Sequence, residues 1–270
     1  MDNDNAIARN LPFADRRPKP RTKGLNYVRA PTVLGATLQD TLDAYAPHID
    51  ILKLSGHQAS LATEAALRRA IDACAQAGVR VAVGNPPIDA ALTGGRASLE
   101  AVFGVLAEWN IGLVEISGIA RTLDDEDLAI VIGLARAMKL EVIYEIGVDF
   151  AHTRSADHEL FLKRRASLAA TALAADAAFV LVESEGLTEN RGHEPPHWDA
   201  LGEIVANLDP AQVIFEADDQ DVMCKLIDIY GPKANLMVDY SRIEKLEAAR
   251  RGFPPSQSLW GKVASLASDG

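Results

Sequence analysis

The chain has 270 residues, of which 48% are hydrophobic and 24% are charged, and its formal net charge is −11. Such an acidic surface repels polyanions, which argues against nucleic acid and anionic membranes as partners. The sequence contains no apolar run long enough to cross a bilayer, which also argues against a membrane protein.

The N-terminal segment and the two cysteines bear on domain organisation and cellular compartment. The first nineteen residues are polar, mixed in charge and without the apolar core of a signal peptide. Cys74 and Cys224 form neither a CxxC motif nor a disulfide framework, as is typical of a reducing compartment. We therefore expect a cytoplasmic protein with a flexible arm over residues 1–19 and one folded domain over residues 20–270.

Eight short apolar runs recur along the chain, spaced by about 30 residues, which is the length of one strand–helix unit. In chain order they are Leu25–Val28, Ile49–Leu54, Val79–Val83, Leu113–Ile116, Glu141–Ile146, Ala178–Val182, Val213–Phe215 and Asn235–Val238. Runs without polar alternation are typical of strands buried on both faces of a parallel sheet. The segments between them have helical periodicity, as in the stripe of Leu67, Ile71 and Cys74. The pattern predicts an α/β protein with a single (β/α)8 TIM barrel, and an open doubly wound sheet is the alternative.

Charged and polar residues stand where the predicted strands end. This strand-end ring consists of Arg29, Lys53, Gly84 with Asn85, Glu115, Glu145, Glu183, Glu216 and Asp239. Because a TIM barrel carries its active site at these ends, the ring is the predicted active site. Clustered carboxylates need a cation, a buried lysine or shared protons, and Mg²⁺ suits such ligands. Lys53 follows apolar residues on its strand, where a lysine is costly unless it is paired, so we expect an ion-pair or functional role for it.

A series of short motifs follows the chain, most of them at or near the predicted strand ends. They are Pro20-Arg21-x-x-Gly24-Leu25, Asp50-Ile-Leu-Lys53, Val114-Glu-Ile-Ser117, Tyr144-Glu-Ile-Gly147, Val182-Glu183, Val213-Ile-Phe-Glu-Ala217, Asn235-Leu236 and Trp260-Gly-Lys262-Val. Together they resemble the phosphosulfolactate synthase family, over roughly residues 20–263.

The resemblance implies a fold, a reaction and a set of roles. Members of that family are TIM barrels that use Mg²⁺ to add sulfite to phosphoenolpyruvate, giving (2R)-phospho-3-sulfolactate on a route to coenzyme M. By resemblance, Lys53 and Glu145 are the predicted catalytic residues of a lyase. Glu115, Glu183 and Glu216 are the predicted magnesium ligands.

The loops beside these residues depart from the family pattern. Arg29-Ala30-Pro31 stands where the family has Asp-Lys-Gly, and Asn85-Pro86-Pro87 where it has Gly-Gly-Thr. Gly147-Val148-Asp149 replaces a Gly-Lys-Lys that supplies a lysine thought to be catalytic. Lys53 is therefore the lysine at a strand end that is predicted to protonate the substrate, and its other possible role is to neutralise the bound anions.

Small anionic substrates need polar and cationic partners near the ring. The predicted substrate-binding residues are Arg21, Arg29, Asn85, Ser117 and Arg191, the last in place of a loop arginine that the family has after the sixth strand. Two alternatives stay open. One is a different metal-assisted barrel lyase or isomerase acting on another small carboxylate or phosphorylated acid, and the other is a non-catalytic ligand-binding barrel. The sequence also leaves open whether the chain forms a homo-oligomer.

Overall fold

The structure is a computed structural model that describes residues 5–7, 10–11, 16–30, 34–117, 123–147, 158–188 and 196–252. Its strands are Asn26–Arg29 (β1), Ile51–Leu54 (β2), Arg80–Val83 (β3), Leu113–Ser117 (β4), Glu141–Ile146 (β5), Phe179–Val182 (β6), Val213–Glu216 (β7) and Asn235–Asp239 (β8). Each strand pairs in parallel with its neighbour, and β8 returns to pair with β1. The predicted TIM barrel is confirmed, because an open sheet would leave β1 and β8 unpaired.

Helices alternate with the strands and cover the barrel. In the described ranges they are Ala36–Tyr45 (α1), Gly56–Leu61 (α2), Glu64–Gln76 (α3), Pro86–Thr93 (α4), Arg96–Glu108 (α5), Asp125–Ala137 (α6), His158–Ala174 (α7), Trp198–Val205 (α8), Gln220–Tyr230 (α9) and Ile243–Arg250 (α10). The predicted stripe of Leu67, Ile71 and Cys74 is buried on α3. Within these ranges, every helix is too short or too polar to cross a membrane.

Strand alternation explains why the barrel interior changes from apolar to charged. The interior holds one apolar layer formed by Leu25, Tyr27, Ile51, Ala82, Leu113, Ile143, Leu181, Ile214 and Met237. Because every second side chain on a strand faces the same side, the residue two positions after each strand's inner residue also faces inward. Two positions after Tyr27 and the inner residues that follow it stand, in chain order, Arg29, Lys53, Gly84, Glu115, Glu145, Glu183, Glu216 and Asp239. These residues are the strand-end ring without Asn85. The ring is therefore the layer directly above the apolar core.

Two half-buried cations of the N-terminal segment lie at the opposite end of the barrel. Arg16 forms an ion pair of 2.9 Å with Glu247. The ammonium of Lys19 donates to the carbonyls of Ala46, Ile49 and Gly78 at 2.8 to 2.9 Å. Arg16 and Lys19 thus contact the barrel at the N-terminal ends of its strands.

Arg21 belongs to this end of the barrel as well. Its guanidinium lies 3.0 Å from Asp50 and donates to the carbonyl of Pro47 at 2.8 Å. Asp50 comes directly before β2, so Arg21 lies at the N-terminal ends of the strands. The expectation that Arg21 binds substrate is corrected, because the length of the barrel separates it from the strand-end ring.

Candidate active site

Lys53 forms a buried ion pair inside the mouth of the barrel. Its Nζ lies 2.7 Å from Oε2 of Glu115, a side chain with 0% exposure. The hydroxyl of Tyr27 donates to the other oxygen, Oε1, at 2.6 Å. Burial alone would lower the pKa of Lys53, but the carboxylates of Glu115 and then Glu145 outweigh it and raise that pKa. Lys53 is therefore protonated at neutral pH and fixed in position.

Glu145 and Glu183 form a second group, in which two carboxyl groups share a hydrogen bond. Asn85 donates from Nδ2 to Oε1 of Glu145 at 3.0 Å. Burial raises the pKa of Glu145 to about 7, with the charge of Glu115 as the next cause. Burial and then the charge of Glu145 raise the pKa of Glu183 to about 10. The pair therefore retains a proton at neutral pH, as carboxylates in a shared site do.

Arg29 joins the first and seventh strands in a third group. Its guanidinium donates to Glu216 at 2.7 Å and to Asp218 at 3.0 Å. The backbone N–H of Ser184 donates to the second oxygen of Glu216 at 3.2 Å, and the Ser184 hydroxyl donates to Asp218. Burial and then Asp218 raise the pKa of Glu216, although Arg29 opposes that shift. The group connects the loop after β6 to the end of β7.

The structure brings most of the predicted site residues together. Ser117 is buried at the end of β4 and stands in register with Glu145 on β5. Asn85 precedes α4 and reaches the same glutamate. Arg191 lies outside the described residues. Arg21 is not brought to the ring.

Three residues of these groups were missed from the sequence. Tyr27 had a signal, because a tyrosine in an otherwise aliphatic buried layer needs a partner for its hydroxyl. Ser184 and Asp218 lie in loops after strand ends and had none, since their contacts depend on how two separate loops approach each other.

The four glutamates of the ring differ in how well they could bind a metal ion. No group of three or more metal-ligating side chains is found among the described residues. Glu115 and Glu216 are already neutralised by Lys53 and Arg29. Glu145 and Glu183 hold a proton instead, and no ion pair to either is seen in the described part of the chain. Because Mg²⁺ is bound by one or two carboxylates plus waters, this pair fits the ion better than the predicted trio that included Glu115 and Glu216.

Glu183→Gln is expected to change how stability depends on pH. A carboxyl group whose pKa is raised in the folded state stabilises the fold below its unfolded pKa, and that contribution is lost as pH rises through the folded pKa. The wild-type protein therefore loses the stabilising contribution of Glu183 between about pH 4.5 and pH 10, at up to about 1.4 kcal/mol for each pH unit. The variant lacks this loss, so its free energy of unfolding should rise relative to wild type by about 1–3 kcal/mol from pH 5 to pH 8.

The measurement is urea unfolding at pH 5, 6, 7 and 8 with EDTA present. Glu203→Gln, at an exposed position on α8, is the matched control and should track the wild type. A constant difference between Glu183→Gln and wild type across this range would contradict the shared proton.

A parallel barrel with charged groups at the C-terminal ends of its strands is the architecture of a TIM-barrel enzyme. A family model described as (2R)-phospho-3-sulfolactate synthase (ComA) matches residues 14–255. The chain belongs to this family, which supports a lyase-type barrel enzyme.

Individual relatives are more distant. The chain is 24% identical over 260 residues to the Protein HEAT-STRESS-ASSOCIATED 32 of Arabidopsis thaliana, and the match covers 87% of this chain and 88% of that protein. Its structure is similar to 3-hexulose-6-phosphate synthase from Salmonella typhimurium, with a TM-score of 0.60, 13% identity, and 84% and 98% of the two chains covered. It is also similar to an HpcH/HpaI aldolase from Desulfitobacterium hafniense DCB-2, with a TM-score of 0.55, 13% identity, and 85% and 91% covered. At these identities, the two structures show the barrel fold alone.

Proposed function

We propose that the strand-end ring catalyses the addition of sulfite to phosphoenolpyruvate, giving (2R)-phospho-3-sulfolactate. In this reaction the sulfur lone pair forms a bond to the methylene carbon of phosphoenolpyruvate. The electron pair of the carbon–carbon double bond moves toward the carboxylate as an aci-enolate, and the adjacent carbon then takes a proton. The chain must therefore hold a proton donor on one side of that carbon.

The observation that carries the proposal is the ammonium of Lys53, fixed 2.7 Å from Glu115 in the mouth of a barrel of this family. Lys53 is protonated at neutral pH and is the lysine in the described ring. Donation of its proton to one face of the carbon would fix the configuration of the product. Because its pKa is raised, Lys53 would recover a proton from solvent as the product leaves.

Glu145 and Glu183 would hold Mg²⁺ in place of the proton that they share. When bound, the ion supplies Lewis-acid stabilisation of the negative charge that develops on the substrate carboxylate. Asn85 would keep Glu145 oriented toward the site, since it donates to that carboxylate at 3.0 Å. Glu216 and Asp218 hold Arg29 by ion pairs, and its guanidinium would bind an anionic group of the substrate at the mouth of the barrel.

The test is an incubation of the purified protein with phosphoenolpyruvate, sulfite and MgCl₂, with the product identified by mass spectrometry. We expect the sulfonated organic phosphate to accumulate only when the protein and both substrates are present. Absence of that product with the folded wild-type protein would overturn the proposal.

A second candidate is a lyase or isomerase that acts on a small acid without a phosphate group. The charge of the site favours it, because the described cations Lys53 and Arg29 face six acidic side chains, namely Glu115, Glu145, Glu183, Glu216, Asp218 and Asp239. Such surroundings oppose a multiply charged phosphate ester. Under this candidate, phosphoenolpyruvate would not raise the melting temperature in the presence of Mg²⁺, whereas a singly charged hydroxy or oxo acid would.

A further inference from the structure

The ion pair between Lys53 and Glu115 spans a whole strand. Lys53 stands on β2 and Glu115 on β4, so their side chains meet in front of β3. The inward-facing positions there are Ala82 on β3 and Gly84 directly after it, so one side chain is a methyl group and the other is absent. A Cβ at position 84 would lie 3.1 Å from Cε of Lys53 and 3.3 Å from Oε2 of Glu115, and also 3.1 Å from the backbone nitrogen of Gly56. Gly84 therefore provides the space in which the pair forms.

The other oxygen of Glu115 is held from the layer below. Tyr27 is 0% exposed and belongs to the apolar layer, and its hydroxyl donates to Oε1 of Glu115 at 2.6 Å. Burial and then the charge of Glu115 raise the pKa of Tyr27 well above its usual range, so the hydroxyl stays a donor. With Oε1 held, the carboxylate cannot rotate freely, and Oε2 stays directed at Lys53.

Fixing this carboxylate matters because Lys53 has other partners within reach. Its long side chain is flexible, and the carboxylates whose charges act on it come from β4, β5, β6 and β7, namely Glu115, Glu145, Glu183 and Glu216. A lysine among four carboxylates has several competing positions unless one pair is set in advance. Displacing a reacting group by about 1 Å costs on the order of 100-fold in rate.

We propose that Tyr27 and Gly84 are positioning residues that hold the ammonium of Lys53 at one place in the mouth of the barrel. Tyr27 does so by orienting Glu115, and Gly84 by leaving room for the ion pair. The inference rests on the proposed function for the role of Lys53 as proton donor, and it extends that role to two residues beneath and beside the donor.

The direct test is the rate at which acetic anhydride acetylates Lys53 at a fixed pH of 8, measured by peptide mass spectrometry against exposed Lys225 as internal reference. In Tyr27→Phe, Lys53 should react about fivefold faster, because the ammonium is no longer confined to one pair. Glu115→Gln removes the partner charge and sets the upper limit. Tyr144→Phe, the same change at a buried tyrosine on the outer face of β5, should leave the rate unchanged.

Gly84→Ala is the second variant, and it keeps the proposal testable if Tyr27→Phe does not fold. Its added Cβ should separate the pair and speed acetylation of Lys53 as well. Gly133→Ala on α6 is the control, since a Cβ there meets nothing within 4 Å. If Tyr27→Phe folds and its Lys53 is acetylated at the wild-type rate, the proposal is overturned. If only Gly84→Ala folds, a wild-type rate in that variant overturns it.

Turnover separates this inference from the proposed function. If sulfite adds to phosphoenolpyruvate, Tyr27→Phe should lower kcat by about tenfold or more while KM changes less than about twofold, because a displaced donor acts on the chemical step. A purely structural defect would lower the amount of active protein and leave the acetylation of Lys53 unchanged in the folded fraction. Faster acetylation without any product from wild-type protein would overturn the proposed function alone.

Discussion

Lys53→Met is expected to lower the rate of sulfonate formation by about 10²-fold to 10⁴-fold, the range that one positioned proton-transfer group contributes. The same change leaves Glu115 buried without its cation. Removing one partner of a buried ion pair costs about 3–5 kcal/mol of stability. The product assay measures the first effect, and urea unfolding measures the second.

The double variant Lys53→Met with Glu115→Gln separates these two effects. It removes both charges, so it should recover most of the lost stability without recovering activity. Lys225→Met, at an exposed position on α9, is the surface control and should retain both. Full activity in Lys53→Met would exclude Lys53 as the proton donor, and wild-type stability would exclude a buried pair.

Arg250→Met is expected to destabilise the fold by about 3–5 kcal/mol, the cost of leaving several buried polar groups without partners. Arg250 is 4% exposed and lies at the opposite end of the barrel, remote from the ring. Its guanidinium donates to Oδ1 of Asn26 and to the carbonyls of Leu25, Pro232 and Ala234 at 2.7 to 3.2 Å. One side chain thus connects the entries to β1 and β8, where the barrel closes.

Urea unfolding of Arg250→Met checks this expectation, with Arg69→Met on the exposed face of α3 as the control. The control should lie within about 0.5 kcal/mol of wild type, as is usual for surface substitutions. Arg250→Lys should fall between them, because a lysine supplies three donors on a narrower head. A loss below about 1 kcal/mol in Arg250→Met would show that water replaces the donors.

The position of the ring was predictable from the sequence, but its pairing was not. Lys53, Glu115 and Glu145 each stand at the end of an apolar run, where a strand is predicted to end. Side-chain alternation then directs them inward, and a barrel carries its active site at these ends. Which carboxylate neutralises which cation depends on strands that are not adjacent in the chain. Lys53 reaches past β3 to Glu115, and Arg29 meets Glu216 only because the barrel closes.

The wrong placement of Arg21, at the other end of the barrel, has a similar cause. Arg21 was predicted to bind substrate because its segment was expected to reach the rim, although a residue that precedes β1 must lie at the N-terminal ends of the strands. A strand of four residues separates the two ends by about 13 Å. The contacts of Arg16 and Lys19 with Glu247 and three carbonyl groups were not predictable either, since composition does not show which groups meet at this end.

The division of the four glutamates into two that are ion-paired and two that share a proton is tested most directly by Mg²⁺ binding at pH 7. Calorimetric titration in two buffers of different protonation enthalpy gives the number of protons released for each ion bound. Because metal binding displaces the proton of its ligands, release of about one proton per ion is expected. The double variant Glu145→Gln with Glu183→Gln should lose the binding, and Glu203→Gln should keep it. Binding without proton release, or equal binding by the double variant, would contradict this division of the site.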